Sequence, residues 1–128
     1  MDSGIYIAVF VLNADRRMRV GALGRVRLRA GVYFYVGSAL RNLSARLERH
    51  GRKDKPLHWH IDYLARAATM LGAVVVPGMR RTECALAAEL GALFKRPVPG
   101  FGASDCRCGG HLFYSPGFLR PPGVTPRT

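Results

Sequence analysis

Residues 4–12 read Gly-Ile-Tyr-Ile-Ala-Val-Phe-Val-Leu and are closed by the turn-prone Asn13-Ala14-Asp15. A continuous β-branched and aromatic run bounded in this way is the pattern of a buried strand. Working outward, Arg17–Leu23 and Arg25–Arg29 read as two short strands around Gly24. In the second, Val26 and Leu28 alternate with Arg25, Arg27 and Arg29, so one face is apolar and the other a row of cations. Gly31–Gly37 (GVYFYVG) is a further strand, so the first third of the chain predicts a meander of three or four strands.

Three helices are expected after it. Asn42 is placed to cap the first, which runs to about His50 with Leu40, Leu43 and Leu47 on its apolar stripe. Pro56 suits the first turn of the second, Leu57 to about Ala68, with Leu57, Ile61, Leu64 and Ala68 on one face. Leu71–Val76 reads as a strand closed by Pro77-Gly78. Thr82 caps a third helix to about Phe94, with Leu86, Leu90, Leu93 and Phe94 inward. Lys95–Gly110 is irregular, and His111–Tyr114 is a last short strand. The expected architecture is a single α+β domain over residues 1–115, a mainly antiparallel sheet flanked by three helices, followed by a loose tail over 116–128.

Composition narrows the partner class. The chain has 128 residues, 20 Lys+Arg against 8 Asp+Glu and a formal charge of +12, and Arg supplies 17 of the 20 cations. Guanidinium groups bind phosphate bidentately, so the excess favours a polyanion, nucleic acid first. Hydrophobic residues at 48% exclude a wholly disordered polycation. The longest apolar runs fall far below the ~20 residues of a membrane helix. Three Cys, with no basic and apolar leader ahead of them, fit a reduced cytoplasmic setting better than a disulfide scaffold.

Gly4-Ile5-Tyr6 and Tyr35-Val36-Gly37 resemble the two halves of the GIY-YIG nuclease signature, with Arg46 and His50 on the helix that follows and Glu83 opening the third. Tyr33-Phe-Tyr35-Val-Gly37-Ser-Ala39, Arg46-Leu-Glu-Arg-His50, His58-Trp-His60-Ile-Asp62-Tyr63-Leu, Glu83-Cys84 and Gly100-Phe-Gly-Ala-Ser-Asp105-Cys106-Arg-Cys108 look like one branch of that superfamily. This is the small Uri-type family, found alone or fused to endonuclease III-like repair enzymes. An Arg-rich hairpin makes the spacer between Tyr6 and Tyr35 longer than the family's usual one, and Ser38 stands where repair-type members often carry Lys.

The resemblance implies metal-dependent phosphodiester hydrolysis on DNA, in repair or processing, with RNA as the other admissible nucleic acid and an endonuclease III-like enzyme as partner. Glu83 would hold one Mg2+ or Mn2+ against the scissile phosphate. Arg46 would stabilise phosphoryl charge. Tyr6 or Tyr35 would orient or deprotonate water, with His50 assisting proton transfer and nearby cations lowering the tyrosine pKa. Arg25, Arg27, Arg29, Arg41, Arg49, Arg52 and Lys53 would hold the phosphate backbone.

Helical geometry bears on these positions independently. At 100° per residue Arg46 and His50 lie 40° apart and flank the Leu43/Leu47 stripe, so both are expected at the rim between core and solvent. Glu83 shares a stripe with Leu86, Leu90 and Phe94, while Glu89 points to water; an inward carboxylate needs either a cation or a partner Arg. His58, His60, Cys106, Cys108 and His111 can be assembled into a zinc set, although Cys-x-Cys is tighter than the usual knuckle. The alternative there is a hydrogen-bonded cluster of Trp59, His60, Asp62 and Tyr63 under the Gly100–Cys108 loop, with Asp105 near the cleft. A non-catalytic nucleic-acid module and a zinc-stabilised interaction domain are the competing functional readings.

Overall fold

In the computed structural model, which describes residues 4–39, 41–57, 59–76, 82–102 and 110–116, the quoted run forms strand β1, Gly4–Leu12. Its side chains alternate between two apolar layers. Tyr6, Ala8, Phe10 and Leu12 face one side and Ile5 the other, and all are buried.

Strands β2 (Arg16–Arg19) and β3 (Arg25–Leu28) follow as a hairpin turned by a 3-10 segment, Gly21–Leu23, with Gly24 at a φ of 79° that favours glycine. Strand β4 (Gly31–Ala39) returns antiparallel along the whole of β1, with Tyr6 opposite Gly37, Ala8 opposite Tyr35 and Phe10 opposite Tyr33. Strand β5 (Thr69–Val76) pairs with the other edge of β1, and β6 (Leu112–Ser115) with β4. The main sheet therefore runs β5-β1-β4-β6, all antiparallel, while β2 and β3 form a sheet of their own. The expected meander is thus split: Arg16–Arg19 leaves the main sheet because its cations could not share the buried plane of β1 and β4.

Helices α1 (Leu43–Gly51) and α2 (His60–Ala67) cover the Tyr6 face, and α3 (Thr82–Leu93) covers the Ile5 face. Three local expectations are corrected. Asn42 stands at the cap of α1 in the left-handed region, φ 58°, and makes no side-chain capping bond. Helix α2 starts after Pro56-Leu57 rather than there, because the Asp62 carboxylate accepts the Trp59 N–H at 2.7 Å and starts the helix at that point. Leu93 is exposed rather than inward, and Ala87 is the α3 residue fully buried in the core on that face. Among the described residues no helix is long and apolar enough to cross a membrane.

Candidate functional site

The candidate residues meet where β4 ends and α1 begins. Tyr6 points from β1 across Gly37, its partner on β4. A Cβ at Gly37 would run into the Tyr6 ring and hydroxyl, so glycine there is what lets the tyrosine lie flat over the strand end. The Tyr6 hydroxyl is 2.7 Å from His50 Nε2 on α1. The Arg46 guanidinium also acts on this hydroxyl, opposing the rise of its pKa, which favours the arrangement in which Tyr6 donates to Nε2 and the His50 proton sits on Nδ1.

Burial, aided by the Lys55 charge, pushes His50 down to about 4, so it is neutral at physiological pH. Its Nδ1 is buried and without a hydrogen-bond partner among the described residues. His50 is 1% exposed, so the expected position at the rim is corrected for it, while Arg46 does sit there, half-buried. The Tyr35 ring packs on both Tyr6 and His50, with centroids 6.4 and 5.9 Å away.

The tyrosines are not acidified. Burial raises Tyr6 above its ordinary value by more than the Arg46 charge lowers it, and Tyr35 is raised for the same reason. Among the protein's own groups, desolvation therefore outweighs the arginine charge that was expected to lower a tyrosine pKa. Tyr33, fully buried with its hydroxyl bonded to the Arg29 carbonyl, belongs to the core.

The carboxylate comes from the opposite layer. Ser38, opposite Ile5 on β4, faces α3, and its hydroxyl donates to Glu83 Oε2 at 2.5 Å. His111 Nδ1, at the start of β6, lies 3.1 Å from Glu83 Oε1. Burial pushes the Glu83 carboxyl up, but His111, Ser38 and the Arg46 charge outweigh it and hold the group below the usual carboxylate range. Arg46 bridges the two halves. It donates to the Ser38 carbonyl at 2.6 Å, and its guanidinium stacks 5.0 Å over the Trp59 ring. The parts played by Ser38 and Trp59 in holding Arg46, and by His111 as the partner of Glu83, were not foreseen from sequence. The one available signal was the alternation of β4, which puts Ser38 on the face opposite Tyr35.

Other predicted residues divide. Arg25, Arg27, Arg29, Arg41 and Arg52 are exposed. Arg49 is instead held by the buried Asp62, at 2.6 Å, and stacks 4.6 Å from Trp59, while Lys53 donates to the Ala68 carbonyl. His60 Nδ1 accepts the Gly102 N–H, as expected for a cluster under that loop, and burial lowers its pKa. His58, Asp105, Cys106 and Cys108 lie outside the described residues. Among those described, no group of three His, Cys, Asp or Glu is placed to hold a metal.

Residues 5–120, nearly the whole chain, match the family described as Domain of unknown function DUF123. The chain belongs to the DUF123 family. Comparison with curated proteins and with solved structures gave no match. The DUF123 match spans every element from β1 to β6, so Tyr6, Arg46, His50 and Glu83 all fall within the family domain.

Proposed function

We propose that this DUF123 domain is a divalent-cation-dependent nuclease of GIY-YIG type acting on DNA. The observation that supports the reading best is the meeting of Tyr6, His50, Arg46 and Glu83 around Ser38 at one end of the sheet. These residues come from both helical layers, and core packing alone gives no reason to aim an ionised carboxylate and a cation at one strand end.

The site fits a single Mg2+ or Mn2+. Glu83 is ionised, and among the described residues each of its oxygens has one partner, so a lone pair on each remains. Such ions commonly take one or two carboxylates, retained waters and substrate phosphate. When bound, the ion would neutralise charge on the scissile phosphate and its leaving oxygen. Arg46, fixed by the Ser38 carbonyl and Trp59, has further N–H donors for phosphoryl oxygens. A raised tyrosine pKa makes a free phenolate base untenable, so Tyr6 acts as a relay: it takes a proton from the attacking water as its own passes to neutral His50 Nε2. Tyr35, which makes ring contacts to both, orients them.

The test is incubation of the purified protein with branched, nicked and single-stranded DNA plus Mg2+ or Mn2+. Cleavage that is lost in Glu83→Ala and Arg46→Ala supports the proposal; absence of cleavage on every substrate, or variants that cut like wild type, refutes it. A non-catalytic binding module is the second reading, favoured by the 2% exposure of Tyr6. It predicts salt-sensitive DNA binding with no cutting.

A further inference from the structure

The β2–β3 hairpin stands outside the main sheet, and its register sorts its side chains into two unlike faces. Arg17 pairs directly with Arg27 and Arg19 with Arg25, while Met18 pairs with Val26 and Arg16 with Leu28. Directly opposed residues share a face. One face therefore carries Met18, Val26 and the fully buried Leu28, packed on the core, with exposed Arg16 at its end; the other carries four exposed arginines, Arg17, Arg19, Arg25 and Arg27. The only ion pair the ribbon makes among the described residues is Arg27–Asp15, long at 3.8 Å and exposed, and so weak. Opposed like charges destabilise a strand pair, a cost that a polyanion laid across the face removes. Arg16, Arg17, Arg19 and Arg66 also line a cleft of about 270 Å³ between β2 and α2.

We infer that this ribbon seats in the major groove of duplex DNA, with Arg17, Arg19, Arg25 and Arg27 toward the bases and Arg16 and Arg66, on the α2 side, against the adjoining phosphate backbone. The inference rests on the DNA reading above but not on cleavage. The dimensions support it. Opposed side chains start about 5 Å apart, and positions two apart on a strand about 7 Å. That rectangle fits a groove about 12 Å wide, which admits a two-stranded ribbon. Arginine bonds guanine O6 and N7 bidentately there. The deep, narrow major groove of A-form RNA does not admit it.

The test is fluorescence anisotropy without divalent metal, using a DNA duplex about two helical turns long and the RNA duplex of the same sequence. The wild type is expected to bind the DNA duplex at least about tenfold more tightly than the RNA. The variant R17Q/R19Q/R25Q/R27Q should lose at least about tenfold in DNA affinity, whereas K95Q, an exposed lysine beside β6, should not. Should the fourfold variant fail to fold, methylation protection on the wild type decides: guanine N7 atoms beneath the protein should be shielded from dimethyl sulfate. Equal affinity for RNA, a fourfold variant within about threefold of wild type, or unshielded N7 atoms would overturn the inference. Tight, ribbon-dependent DNA binding with no cleavage would sink the nuclease proposal alone. Cleavage with ribbon-independent binding would sink this one alone.

Discussion

Acidification offers a direct reading of the His50 site. His50 is buried against Tyr6, Tyr35 and Trp59 and is held down to about 4, against an ordinary 6.5. In the unfolded chain the imidazole takes up its proton near the ordinary value, while the folded protein resists until about 4. Between those two values the unfolded state binds more protons, so the contribution is complete above 6.5 and is lost as the pH falls toward 4. Two and a half units correspond to ~3 kcal/mol in all, of which about 2 kcal/mol is gone by pH 5. Urea unfolding followed by far-ultraviolet circular dichroism at pH 7 and pH 5 measures it, with His50→Gln as the comparison. Glutamine retains an acceptor for the Tyr6 hydroxyl and does not titrate. Glu83, held below the ordinary carboxylate range, ionises beneath this window, and His60 contributes equally to both proteins. The variant should therefore lose about 2 kcal/mol less than wild type between the two pH values. A difference under about 0.5 kcal/mol would mean that His50 is not the buried neutral base that the Tyr6 relay requires.

Gly37→Ala should cost about 1–3 kcal/mol, because the added Cβ meets the Tyr6 ring. Combined with Tyr6→Ala its cost should fall well below the sum of the two, as urea midpoints would show. Asp62→Asn strips the counter-charge from Arg49 and Lys55 at a fully buried position. It should destabilise by about 3 kcal/mol in the same assay; a neutral outcome would mean that the pair is not desolvated. Glu83→Gln, or chelation of the metal, should lower DNA cleavage at least about 100-fold while leaving duplex affinity within about threefold, since the carboxylate serves the reaction and not docking. Loss of binding in parallel would assign Glu83 to structure.

How far the sequence could be read follows the range of the interactions. The apolar run at β1, the stripe of α1 and the alternating arginines of β3 all depend on periodicity within a few residues, and each appears where that periodicity predicts. The errors lie where a side chain from elsewhere intervened. Pro56 looked like a helix start, but the Asp62 carboxylate capping the Trp59 N–H placed it at His60. Arg49, expected along the phosphate backbone, has in addition a buried partner, Asp62 on α2, that its own helix does not announce. His111 could be placed from sequence only in a strained zinc set beside the cysteines, and β4–β6 pairing sets it against Glu83.

The sequence by itself determined the α+β class, the buried central strand and the excess of arginine, and it singled out Tyr6, Arg46, His50 and Glu83 for inspection. Only the tertiary structure decided what state those residues hold. The register of β1 on β4 lays Tyr6 over Gly37, the packing of two helices over that face removes water from His50, and Ser38 meets Glu83 across 45 positions of chain. A periodic pattern reports which face a side chain takes, but desolvation and hydrogen bonding depend on what is folded over that face, and they set protonation here.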